Sequence, residues 1–288
     1  MSHGIAVSIV PGELRLLVAR TNGAARPLHQ LAAELPEGAV RPGLQAPNLA
    51  AGEAVAEALS RLAKEAAATP ERRGMLAVLI PDAAVRMALV PLEGGQPRRA
   101  EAEAMARWAL RDLLPVAAEE ARVDWAVLSG DGNGGGNGSA TSWLLALGAD
   151  AAVIKEYEAA VEKLGGVVGR VVPFTLALAA GAGAELDEGE AGTARLVLCG
   201  AGGQMACLVE AAGVPRFHRA WRGVPPDMDL ELPGIQRYVA QRLELEIVEA
   251  VVAGPEGWRQ RAATACEALG WQTHLRSSWT AHSGAVQP

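Results

Sequence analysis

Cysteine and lysine are scarce in this chain of 288 residues, which carries three of each. The cysteines, Cys199, Cys207 and Cys266, form no Cys-x-x-Cys pair. Their number and spacing argue against a disulfide framework and a zinc site, so we expect a reducing compartment. The net charge is -7 and the pI is near 5.4. This balance argues against binding to nucleic acid, because neutralising phosphates requires a basic surface.

Long apolar runs are also missing. Residues 1–13 show no basic stretch followed by a long apolar core, so they do not resemble a signal peptide. The most apolar run, Val171 to Ala184, contains Pro173 and is shorter than the roughly 20 residues that a bilayer requires. The sequence therefore predicts a soluble protein that does not insert into a membrane directly and needs a partner to reach one.

No familiar catalytic or metal-binding signature occurs. The glycine-rich stretch 130–138 lacks the Gly-Lys-Ser/Thr ending of a phosphate-binding loop, and we interpret it as a flexible hairpin tip. His218 and His274 lie far apart, with no carboxylate at ligand spacing. Asp82 follows Pro81 and fits a turn better than a catalytic strand end. The sequence thus predicts neither a catalytic residue nor a metal ligand.

The periodicity of apolar residues predicts two similar blocks of strands and helices. The predicted elements of the first block are strands at 5–9, 13–20, 75–80 and 167–172 and helices at 51–67 and 175–180. Those of the second block are strands at 194–199, 206–210, 214–220, 246–253 and 271–275 and helices at 232–243 and 256–269. The insertion in the first block is predicted to contain strands at 84–90, 123–127 and 143–147 and helices at 98–114 and 151–164. This order predicts an α/β protein with a duplicated ribonuclease H-like architecture.

The predicted subdomain boundaries follow from this order. They are residues 1–80 plus 166–185 for a first ribonuclease H-like subdomain, 81–165 for an inserted α+β subdomain, and 186–275 for a second ribonuclease H-like subdomain. The acidic, glycine-rich stretch 182–193 marks the boundary between the halves. Residues 276–288 show no periodicity, so we expect a disordered tail.

Three consecutive segments carry a family resemblance. Residues 103–128 contain a helix ending in Leu-Pro, an acid-rich turn and a strand with Asp-Trp. A strand and a Tyr-containing helix ending in Gly follow at 143–166, and VVGRVVPFTLALAAG follows at 167–181. These segments resemble the PilM family of type IV pilus assembly and its relative, the GspL family of type II secretion. The resemblance implies an actin-like fold with a small α+β subdomain inserted in the first half and, here, a reduced second half.

The nucleotide motifs of that family are degenerate in this sequence. The family's first phosphate turn carries an Asp where this chain has Ala6, and its second carries an Asp where this chain has Leu198. Neither side chain has an oxygen that could hold Mg²⁺ or a water. The Gly-Gly turn at the adenosine becomes Gly254-Pro255, and proline removes a backbone N–H. The resemblance therefore implies a pseudo-ATPase that needs no cofactor.

Glycines at these turns are the remaining candidates for nucleotide or anion binding, because free backbone N–H groups can hold an anion. They are Gly200, Gly202, Gly203 and Gly254. A tight structural hairpin is the favoured alternative, since no Asp or Lys lies nearby in the sequence.

The resemblance implies a non-catalytic scaffold in type IV pilus assembly, located in the cytoplasm and recruited to the inner membrane. Its partner would be a PilN-like bitopic inner-membrane protein, whose cytoplasmic N-terminal peptide would bind a groove of the first subdomain. The candidate contact residues lie on the second strand and the first helix: Leu14, Leu16, Val18, Leu59 and Leu62. Two alternatives stay open. One is an ATPase that binds ATP and Mg²⁺ through relocated ligands, and the other is a GspL-like secretion component, for which a downstream transmembrane segment is expected.

Overall fold

The structure is a computed structural model. It describes residues 3–20, 26–66, 75–92, 96–117, 119–129, 142–183, 192–201, 203–221 and 227–276. The glycine-rich stretch 130–138, Gly202 and the predicted tail beyond Arg276 lie outside the described residues.

The described residues form three sheets and six α-helices. The strands are β1 (His3–Val10), β2 (Glu13–Arg20), β3 (Arg26–Glu34), β4 (Met75–Ile80), β5 (Arg86–Leu92), β6 (Ala121–Ser129), β7 (Ser142–Asp150), β8 (Val167–Pro173), β9 (Thr193–Ala201), β10 (Gln204–Ala211), β11 (Val214–Trp221), β12 (Glu246–Ala253) and β13 (Gln272–Arg276). The helices are α1 (Gly52–Glu65), α2 (Arg99–Leu110), α3 (Ala151–Glu162), α4 (Phe174–Gly183), α5 (Met228–Arg242) and α6 (Glu256–Ala268).

The two halves of the chain are built on sheets of the same design. The first sheet has the order β3-β2-β1-β4-β8 and the second has the order β11-β10-β9-β12-β13. In each sheet the first three strands are antiparallel neighbours and the last two strands join in parallel. The predicted duplication is therefore confirmed. Between β11 and β12 the described chain forms only α5, which agrees with a reduced second half.

Alternation along the strands divides the apolar residues between the two faces of the first sheet. Val7 and Ile9 of β1 pack with α1 and α3, whereas Ala6 faces α4 on the opposite side. Helix α4 also contacts the second sheet, where Ala179 packs beside Val197 and Cys199. Helix α4 thus lies between the two halves and buries apolar surface from both.

The inserted subdomain is a three-stranded sheet of order β5-β7-β6 with α2 on one face. Ala102, Ala106 and Leu110 of α2 are buried against this sheet. The predicted boundary at residue 165 needs correction, because Tyr157 and Val161 of α3 belong to the core of the first half. The inserted sheet and its helix therefore extend from β5 to β7. Among the described residues, none of the helices combines the length and the apolar character needed to span a bilayer.

Candidate functional site

A cleft separates the two halves at the turns where the family resemblance predicts nucleotide. Val10 and Pro11 line it from the β1–β2 turn, and Ala201 and Gln204 line it from the β9–β10 turn. The cavity left there measures about 30 Å³. That volume holds about two waters, whereas small-molecule pockets measure about 300–1,000 Å³. The described residues that meet at these two turns therefore leave too little space for a nucleotide, and in this sense the cleft is closed.

An indole ring packs against two of the glycines predicted to bind nucleotide. A Cβ atom on Gly200 would lie 2.4 Å from the ring of Trp258, and one on Gly254 would lie 2.7 Å from it. Trp258 lies in the first turn of α6. Gly203 has a φ of +78° and open space around it, which suits a tight β9–β10 turn. The structure thus brings Gly200 and Gly254 together, and close packing with Trp258 explains why both lack a side chain.

Ala6 and Leu198, which stand where the family resemblance places aspartates, face different sides of their sheets. Ala6 is buried on the α4 side of the first sheet, which is the side facing the second half. Leu198 instead lies in the core of the second half, and its neighbour Cys199 lines the cleft. Burial first, and then the charge of Asp82, raises the pKa of the Cys199 thiol well above its ordinary value. A protonated thiol and a methyl group supply no ligand for Mg²⁺.

Asp82 is the one carboxylate among the described residues that line this cavity. It is 4% exposed, and it lies in a short 3₁₀ helix between β4 and β5. Its oxygens accept hydrogen bonds from the backbone N–H and the hydroxyl of Thr175, the second residue of α4. Nε2 of His218 lies 3.1 Å from Oδ1 of Asp82. The carboxylate is therefore engaged by protein groups, and no cluster suited to a metal occurs among the described residues.

The interpretation of Asp82 as a turn residue captured only part of its role. Sequence spacing also gave no sign of its pairing with His218, because the two residues are 136 positions apart. The one sequence signal was an acidic residue separated from the end of a buried strand by Pro81 alone. Such a residue stands at the edge of the sheet where the two halves meet.

A second and much larger opening lies between the first sheet and the inserted sheet. This groove has a volume of about 560 Å³. Its walls are β8 and β6, and Ile154 of α3 and Leu147 of β7 also line it. Strands β8 and β6 are the outer strands of their sheets, and each has a single neighbour. The groove is therefore bordered by two strand edges whose outward backbone groups are not used in these sheets.

The side chains of the groove are a mixture of apolar and charged groups. Val171 and Val172 of β8 are half-buried there, and Nη1 of Arg122 on β6 lies 3.2 Å from Oε1 of Glu158 on α3. The register between β4 and β8 shifts at Gly169, which pairs with no residue of β4 and lines the groove. Such a bulge on an edge strand twists the strand locally and changes where its residues point.

The five residues predicted to contact a partner are core residues instead. Leu14, Leu16, Val18, Leu59 and Leu62 are all buried in the cluster between the first sheet and its helices. The prediction that their side chains offer a contact surface is corrected on this ground, because their apolar atoms are already covered by α1, α3 and the sheet. The periodicity that singled out these positions is the periodicity of a core-facing surface.

The chain resembles several solved structures in three dimensions. No protein-family model and no curated protein sequence matches it. A structure of a PilM-PilN type IV pilus biogenesis complex has a TM-score of 0.72 and 17% identity, over 98% of this chain and 90% of that chain. A Bacteroides thetaiotaomicron protein with an actin-like ATPase fold has a TM-score of 0.56 and 10% identity, over 96% and 91% of the two chains.

The fold is actin-like. The cytoplasmic domain of EpsL, an inner-membrane component of the type II secretion system of Vibrio cholerae, is also similar, with a TM-score of 0.51 and 15% identity over 98% of this chain and 87% of that domain. The resemblance to the PilM and GspL families is thus confirmed at the level of fold. Within this actin-like fold, the closed cleft lies between the two duplicated halves, and the open groove lies between the first half and the insertion.

Proposed function

We propose that this protein is a non-catalytic, PilM-like cytoplasmic adaptor of type IV pilus assembly. It binds the cytoplasmic N-terminal peptide of a PilN-like inner-membrane protein in the groove between β6 and β8, and this contact recruits it to the membrane. One contrast carries the proposal: the groove measures about 560 Å³, whereas the interdomain cleft measures about 30 Å³. The similarity to a PilM-PilN complex supports the choice of partner.

The groove suits an extended peptide for two reasons. An extended backbone adds to an exposed sheet edge through main-chain hydrogen bonds, and here an edge strand stands on each side. Alternate side chains of the peptide can then enter the groove, where Val171 and Val172 offer apolar contacts. The peptide is anchored in a membrane, which raises its effective concentration and allows a short contact to suffice.

The cleft supports a protein-binding role over an ATPase role. Trp258 packs against the two glycines that would approach a nucleotide, and Asp82 is bonded to Thr175 and His218. An ATPase with relocated ligands would need oxygen ligands for Mg²⁺ that face open space. In the described part of the chain the cleft offers one carboxylate, and that carboxylate is occupied.

Substitutions on β8 test the groove directly. Gly169→Trp places an indole at a residue that lines the groove. The control, Val167→Trp, places the same side chain two residues away on the same strand. Val167 is 70% exposed and does not line the groove. We expect Gly169→Trp to weaken binding of a synthetic PilN-like N-terminal peptide at least about tenfold, since a filled groove excludes the peptide. Val167→Trp should leave the Kd unchanged, as measured by fluorescence anisotropy. Equal affinities for both variants and the wild type would contradict the groove assignment.

A GspL-like role in type II secretion is the second candidate, and the similarity to the EpsL cytoplasmic domain favours it. The same assay separates the two roles. A peptide from a PilN-like protein should bind with higher affinity than cytoplasmic segments of secretion components from the same cell. The reverse order of affinities would favour the secretion role.

A further inference from the structure

A buried carboxylate and a buried imidazole join the two halves of the molecule. Asp82 belongs to the first half, since it follows β4, and His218 lies on β11 in the second half. Their side chains are 3% and 7% exposed, and Nε2 of His218 lies 3.1 Å from Oδ1 of Asp82. Thr175 at the start of α4 donates both its N–H and its hydroxyl to the same carboxylate. This contact borders the residual cavity of the cleft.

We propose that Asp82, Thr175 and His218 form a clamp that holds the cleft closed, so that the two halves are joined by a protein contact. Thr175 fixes the carboxylate on the first half, and His218 brings the second half to it. The clamp sets an equilibrium between a closed cleft and an open cleft within the folded protein. The clamp lies outside the peptide groove, so the proposal does not depend on the proposed partner.

The chemistry of the contact explains why it can control this equilibrium. A hydrogen bond to an ionised group is stronger than one between neutral groups, and removing one partner leaves a buried polar group unsatisfied. Other contacts that the second half makes across this boundary include apolar ones, such as Ala179 against Val197, and the Arg216 guanidinium over the Trp143 ring of the insertion. The clamp adds a buried, directional hydrogen bond between the two halves, so its loss should favour opening.

The three cysteines provide a built-in probe of cleft opening. Cys199 lies in the apolar cluster between α4 and the second sheet and lines the cleft. Cys207 and Cys266 lie on the opposite side of the second sheet, inside the core of the second half. All three are free and buried. Separation of the halves exposes Cys199 alone, whereas global unfolding exposes all three.

The experiment compares three variants of the full chain with the wild type, using N-ethylmaleimide and mass spectrometry to obtain a modification rate for each cysteine. His218→Leu removes the imidazole donor, and His218→Gln keeps an N–H donor at a similar reach. His274→Leu is the matched control, because Nε2 of His274 lies 2.8 Å from Oε1 of Glu249 within the second half. Circular dichroism in urea measures the global stability of each variant.

The clamp predicts a selective change at Cys199. We expect His218→Leu to raise its modification rate about tenfold or more while the rates at Cys207 and Cys266 stay at the wild-type level. His218→Gln should restore most of the protection, and His274→Leu should not alter the Cys199 rate. An unchanged Cys199 rate in His218→Leu would overturn the proposal. Equal acceleration at all three cysteines would also overturn it, because the contact would then stabilise the whole fold and not the cleft.

Discussion

Among single residues, Trp258 and the two glycines beside it best explain the state of the cleft. The Trp258 ring lies so close to each glycine that a Cβ atom at either position would collide with it. The observed position of the indole therefore requires glycine at both positions. A nucleotide entering between them would have to displace an aromatic ring that is half-buried in the second half.

Gly200→Ala tests this packing against a matched glycine. An added Cβ at Gly200 would collide with the Trp258 ring at 2.4 Å, so we expect a loss of about 1–3 kcal/mol in the free energy of unfolding. Gly234→Ala is the control, since a Cβ there meets no atom within 4 Å and α5 should gain about 0.5–1 kcal/mol. Urea denaturation measures both. If Trp258 is the cause, adding Gly200→Ala to Trp258→Ala should have little further effect.

Glu210 gives a pH-dependent prediction in the second half. Burial raises the pKa of its carboxyl, although Arg195 at 3.0 Å acts in the opposite direction and Glu249 adds to the rise. A carboxyl whose pKa is higher in the folded state favours folding below its unfolded pKa, and this contribution is lost as pH rises through the folded pKa. We therefore expect Glu210→Gln to gain stability relative to the wild type as pH rises from about 4.5 towards neutral. Arg195 would retain its bond to Glu249 at 2.9 Å.

Thermal unfolding across that pH range measures the effect. Glu231→Gln is the control, because its ion pair with Arg219 lies nearer the surface of the same half. A stability difference between Glu210→Gln and the wild type that stays constant with pH would show that Glu210 does not titrate differently in the folded state.

At the scale of strands and helices, most of the architecture could be predicted from apolar periodicity. The exceptions have physical causes. Strand β3 was missed, since Arg26–Glu34 contains Pro27 and its apolar residues do not alternate. Its pairing with β2 places it at the outer edge of the sheet. Helix α3 was assigned to the insertion because it follows β7 directly, whereas its apolar side faces the first core. Sequence order cannot show which of two neighbouring cores a helix joins.

Tyr157 tests the placement of α3. Its ring is buried in the first core, and its hydroxyl has no hydrogen-bond partner among the described residues. Burial raises the pKa of this phenol. We expect Tyr157→Phe to stabilise the protein by about 1 kcal/mol, because an unsatisfied buried hydroxyl is removed. Tyr157→Ala should cost about 3–5 kcal/mol by creating a cavity. A small effect of both substitutions in calorimetric unfolding would place α3 outside the core.

At the scale of the whole molecule, the chain pairs a closed cleft with an open groove. The cleft site could be predicted in outline from the sequence, since Ala6 stands where the family resemblance expects an aspartate. The groove could not, because it forms between β6 and β8, whose edges meet only after folding. The two walls are separated in the sequence by β7 and α3. The apolar periodicity of each wall resembles that of any half-buried strand, so it does not indicate a groove.

We propose that this protein acts through contact with another protein and not through a nucleotide. The most direct measurement is a calorimetric titration of the PilN-like N-terminal peptide into the full chain, with and without Mg-ATP. We expect saturable binding with the same Kd in both conditions and no heat from Mg-ATP alone. Binding of Mg-ATP, or a peptide affinity that changes with nucleotide, would contradict it.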